Sequence, residues 1–199
     1  MVAVSLFMGI SVGIILLLAT QAPSSAGYSQ SDLTTYDKNG VTFKYPHQWV
    51  DVHDQVTNAA AAFGDNANIN DASAIITVQS EDEGFGLLEG LTSSQIAEFV
   101  STLKDEVKGT LFRDTLEADS GCVTVDSNTV EDAPSDFSLK GVKFTFTCSR
   151  SDKQQLTIEG YLGIAADGKV YVIEIIGLDS AYKDNADVFD SMLNSLKVG

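Results

Sequence analysis

The stretch QQLTIEGYLGIAADGKVYVIEII, residues 154–176, decides the fold class. Two apolar runs of strand length, Gln154 to Ile164 and Val170 to Ile176, flank Asp167-Gly168, a dipeptide that tolerates the positive φ required by a tight hairpin turn. They read as neighbouring antiparallel strands. Upstream, Leu139 to Cys148 and Cys122 to Val130 extend the same pattern, with a turn expected at Arg150 to Lys153. Phe144, Phe146 and Cys148 share one face of their strand, because side chains alternate along a pleated backbone.

Further upstream the period changes. Ile96, Phe99, Val100, Leu103 and Val107 recur at helical intervals, Thr92 and Gln95 have the spacing of a capping box, and Gly109 stops the helix. A second helix is expected from Tyr182 to Leu196, with Phe189, Met192, Leu193 and Leu196 on its apolar face. Nearer the start, Ala74 to Val78 is a short apolar strand and Val56 to Phe63 a weaker one. Asn39-Gly40 is a turn signal, and Val41, Phe43 and Tyr45 alternate with polar residues until Pro46. The pattern resumes at Trp49, Val50 and Val52, so residues 41–52 read as a hairpin bent at Tyr45 to Trp49, with the Trp ring filling the core. Helices bracketing a run of antiparallel strands make this an α+β protein, a central antiparallel β-sheet flanked by helices.

Residues 1–26 stand apart. No charge occurs from Val2 to Thr20, and Gln21 to Ala26 has the small residues of a cleavage region, with Ser24 and Ala26 in the expected positions. The segment reads as a signal peptide or, since about 20 apolar residues span a bilayer, as a membrane anchor. Residues 27–35 read as a linker and 36–199 as the domain. The expected location is extracytoplasmic, secreted or anchored by the N-terminal segment.

The formal net charge is −16, from 28 acidic and 12 basic residues. Nucleic acids and anionic lipid headgroups are excluded as partners by repulsion. The favoured partners are cations, basic protein patches or none, since a strongly acidic surface also keeps an exported protein soluble or suits a salty environment. The two cysteines, Cys122 and Cys148, allow one pairing in an exported chain, worth about 3 to 4 kcal/mol in the chain-entropy picture. Two buried free thiols are the alternative.

The string Asn39-Gly-Val-Thr-Phe-Lys-Tyr-Pro-His-Gln-Trp49 resembles the N-terminal signature of the PsbP-like proteins, relatives of an extrinsic oxygen-evolving subunit of photosystem II. The strand Val170 to Ile176 and the ending Val188 to Lys197 are similar to the way those proteins finish. The resemblance implies a PsbP-like α/β/α sandwich, shared with Ran-binding Mog-type proteins, and a role in binding or assembly. The photosystem subunit docks through a basic surface, which this acidic chain does not match. A prokaryotic PsbP-related exported protein is therefore expected.

Candidate chemistry is sparse. His47 and His53, the only histidines, lie near Asp51 and Asp54 and could form a metal site. Asp65, Asn68 and Asp71, with Asn66 and Asn70, make an oxygen-rich loop able to coordinate Ca²⁺ or another divalent cation, although the EF-hand spacing is absent. Glu81, Asp82 and Glu83 form another carboxylate cluster. No nucleophile elbow, zinc helix motif or phosphate loop is present. The expected function is a non-catalytic binding or assembly domain for a membrane or cell-surface protein, engaged through a groove between sheet and helix. A divalent-cation module and an unrecognised hydrolase are the alternatives.

Overall fold

The computed structural model of the chain describes residues 27–81, 92–109 and 122–199. The N-terminal apolar segment, and Asp82 and Glu83 of the carboxylate cluster, lie outside the described residues. The elements run β1 (Leu33–Lys38), β2 (Val41–Pro46), β3 (Val50–Asp51), β4 (Ala59–Gly64), β5 (Ala74–Glu81), α1 (Ser93–Lys108), β6 (Cys122–Asp132), β7 (Lys140–Arg150), β8 (Gln155–Ile164), β9 (Val170–Leu178), α2 (Asp179–Asp184), α3 (Ala186–Asn194) and β10 (Lys197–Val198). The architecture is α+β and mostly strand.

A seven-stranded antiparallel sheet, ordered β3-β4-β5-β9-β8-β7-β6, forms the frame. At its centre lie β8 and β9, joined by the turn at Asp167-Gly168, where Gly168 has φ 82°. Every residue of β9 is buried, which is why its sequence is apolar at every position but Glu174 and does not alternate. On one face α1 covers β6, β7 and β8, and its Leu103 and Val107 pack with Phe144, Phe146, Ile158 and Leu162. The helix begins with the expected capping box, Thr92 and Gln95 satisfying each other's backbone N–H groups.

The opposite face is closed by α3 and by a small sheet ordered β1-β2-β10. Here Trp49, Phe43, Tyr161, Ile173, Phe189 and Leu193 form the second core. Trp49 meets Phe189 edge to face with ring centroids 6.0 Å apart. Burying a side chain such as Phe189 contributes roughly 1.5–3 kcal/mol.

Two expectations are corrected. Val41 to Val52 is not a hairpin: β2 pairs with β1 on one side and β10 on the other, whereas β3 pairs with β4 in the large sheet. The Asn39-Gly40 turn, with φ 56° and 76°, instead joins β2 to the polar strand before it. That strand starts at Leu33, inside the stretch read as linker, and Tyr28 already packs on Trp49 at 5.8 Å. The closing helix is also two helices. It breaks at buried Asn185, whose side chain donates to the Ala181 carbonyl and accepts from the Tyr28 N–H.

Candidate functional site

The helix α1 presents two stripes. Leu103 and Val107 face the sheet, while Ile96, Ala97 and Val100 line one wall of a groove of about 470 Å³. The facing wall is the β6–β7 connection, through Ala133, Pro134 and Leu139. That connection is held open in a defined shape: the Ala133 N–H donates to Gly141 O at 2.9 Å, and Phe137 stacks on Tyr161 at 4.1 Å. Gly141 is required there, because a Cβ would sit 2.0 Å from the Leu162 carbonyl oxygen.

The groove has an apolar floor and a polar rim. Lys104 Nζ pairs with Asp132 Oδ1 at 2.8 Å, and Lys140 Nζ donates to Ser135 O at 2.7 Å. A volume of this size accommodates a small molecule or a few residues of peptide. The arrangement can bind such a segment.

The cysteine pairing is borne out. Cys122 and Cys148 are disulfide-bonded, with Cα atoms 5.7 Å apart, and the bond ties the start of β6 to β7. The oxygen-rich loop turns largely on itself. Asp65 Oδ1 accepts from the Ser73 N–H at 2.8 Å, Asp65 Oδ2 accepts from the Ser73 and Tyr28 hydroxyls, and Asp71 Oδ2 accepts from Asn68 Nδ2 at 2.8 Å. Burial, with the Asp65 charge beside it, pushes the Tyr28 hydroxyl up to about 12. The histidines go to separate tasks. His47 Nδ1 meets the Asp32 carbonyl at 3.1 Å. His53 sits between Asp51 at 2.6 Å and Asp54 at 3.0 Å, and the hydrogen bond and charge of Asp51, then the charge of Asp54, raise its pKa. Among the described residues no three His, Cys, Asp or Glu side chains gather as a metal would require.

Two polar features were not anticipated. Lys143 on β7 meets Glu159 on β8 at 2.5 Å, Glu159 also accepts from the Tyr182 hydroxyl on α2, and Asp190 on α3 lies 3.8 Å from the lysine. Burial works against the charge on Lys143, but the Glu159 hydrogen bond and charge leave its pKa above the ordinary value. This cluster straps the closing helices to the sheet. Glu174, in the middle of β9, is fully buried on the α1 side; Thr77 donates to its Oε1 at 3.3 Å and its Oε2 has no hydrogen-bond partner among the described residues. Burial pushes its carboxyl up to about 8, although the Thr77 bond pulls the other way. A single Glu in an apolar run was the available signal. No protein-family model matches the chain, and no curated protein matches it.

Proposed function

We propose that this chain is a non-catalytic exported binding or assembly domain of the PsbP-like kind, acting on a protein partner at a membrane or cell surface. The observation that carries the reading is the groove between α1 and the β6–β7 connection. It combines an apolar floor with a rim of paired lysines, the mix that orients a bound segment while burying part of it. The PsbP-like assignment draws support from the string Asn39 to Trp49 and from the layering of helices over both faces of the antiparallel sheet. The acidic charge favours a partner with a basic contact surface.

The test is photo-crosslinking from position 97 in the full chain, presented to the membrane fraction of its host. Ala97 is exposed on a helix, so a substitution there fills the groove without unfolding the helix. One dominant adduct is expected, absent when the competitor is wild type and retained when the competitor is Ala97→Glu. No adduct, or equal competition by both proteins, refutes the groove as the contact. Reproducible hydrolytic turnover lost in His47→Ala or His53→Ala refutes the non-catalytic reading.

A further inference from the structure

The outer strand of the seven-stranded sheet is long. Among the described residues β6 pairs only with β7, and its 11 residues leave one side of their backbone without a neighbouring strand. Such an edge is a template for another strand, and proteins commonly blunt it with lysine, proline or short length. Cys122–Asp132 is long and has no lysine or proline; its two bulges against β7 lie between Cys122 and Thr124 and between Val125 and Ser127, which leaves Ser127 to Asp132 as an edge in unbroken register. Its charges are all acidic: Asp126, Glu131 and Asp132. Val123 is 59% exposed, the more exposed of the two large hydrophobics left open among the described residues.

The two faces of β6 differ. Val125 and Val130 lie on the α1 side with the first core. Asp126 accepts from the Ser149 hydroxyl at 2.7 Å, Ser127 bonds Thr147 at 2.6 Å, and Glu131 is registered opposite Lys143, which points toward α3. Asp126, Ser127 and Glu131 therefore share the other face. A strand added beside β6 would meet Val125 and Val130 on the α1 face, where Asp132 is already paired with Lys104, and the carboxylates of Asp126 and Glu131 on the other. The disulfide from Cys122 to Cys148 holds the start of the edge in the sheet before any partner arrives, which lowers the ordering cost of docking.

We infer that β6 is a docking edge for a basic extended segment of a partner protein, which adds as the next strand with lysine or arginine on the Asp126–Glu131 face and apolar residues on the α1 face. The inference rests on the reading of the chain as a binding domain; of the strand's residues only Asp132 also borders the groove. A second copy of this chain is the poorer occupant, because β6 against β6 sets carboxylates against carboxylates, and like charges across strands destabilise.

The probe is a short synthetic peptide alternating lysine with valine or threonine, titrated into the full chain by calorimetry, with hydrogen-exchange mass spectrometry at saturation. Expected are a 1:1 complex and new amide protection within 122–132. The same peptide N-methylated on alternate residues keeps its charge but cannot complete the ladder, and it should bind at least about tenfold more weakly. The double variant Asp126→Lys/Glu131→Lys should weaken binding of the parent peptide to a similar extent. Equal binding of the N-methylated peptide, or protection scattered over the acidic surface, overturns the edge and leaves nonspecific attraction. A concentration-dependent dimer that protects β6 without peptide overturns it in favour of self-pairing. Failure here with intact crosslinking from position 97 refutes the edge alone; failure of both refutes the binding domain.

Discussion

Replacing Glu174 with Gln should make the protein more stable at neutral and alkaline pH and remove most of the pH dependence that this residue imposes. The carboxyl is fully buried, Thr77 at 3.3 Å is its hydrogen-bond donor, and no charged group among the described residues offsets the loss of water. Its pKa rises from an ordinary 4.5 to about 8. Below pH 4.5 both folded and unfolded chains hold the proton, so Glu174 contributes no pH dependence. Between that point and about pH 8 the unfolded chain ionises and the folded chain does not, so stability falls as pH rises. Above about pH 8 both forms are ionised and the loss levels off. At about 1.4 kcal/mol per pH unit, the penalty reaches on the order of 5 kcal/mol by pH 8. The check is urea unfolding of wild type and Glu174→Gln between pH 5 and 9, followed by the fluorescence of Trp49, the sole tryptophan. The difference between the two proteins should widen with pH and then flatten. A difference that stays constant across the range refutes the buried protonated acid.

Two further outcomes follow from packing and crosslinking. The double variant Cys122→Ser/Cys148→Ser should lose about 3 kcal/mol, read as a lower urea midpoint than the oxidised wild type, and a midpoint equal to wild type would show that β6 holds without its staple. Gly160→Ala should cost about 3 kcal/mol or more, because the new Cβ would lie 2.0 Å from the Ile173 carbonyl oxygen on the neighbouring strand; a thermal midpoint within a degree or so of wild type contradicts that geometry.

Legibility in the sequence followed the strength of local signals. The strands β6 to β9, the helix α1 and its cap were readable because period, turn chemistry and capping agreed at each. The misread pairing of β2 came from β1, whose Leu-Thr-Thr-Tyr-Asp-Lys has a half-buried, mostly polar pattern and so lacks an apolar signature. The turn at Asn39-Gly40 is legible, but its upstream strand is not. The break between α2 and α3 has no local signature, because Asn185 disrupts the helix through bonds to Ala181 and Tyr28, the latter distant in sequence. At the candidate site, Ile96 and Val100 were legible as an apolar helix face, yet only the placement of the β6–β7 connection turns them into a groove wall. The carboxylate loop was legible as oxygen-rich, but the inward pull of Ser73 and Tyr28 on Asp65 depends on residues distant in sequence.

The small sheet that covers the second core draws its strands from far apart: Val41 in β2 is registered with Val198 in β10. A chain emerging from the ribosome therefore carries Trp49 and Phe43 without the strand that seals them until β10 follows. Closing a loop of that length before its contacts repay the entropy is slow. The nascent chain thus passes through a long interval in which its second core is incompletely covered and its apolar side chains are open to other chains.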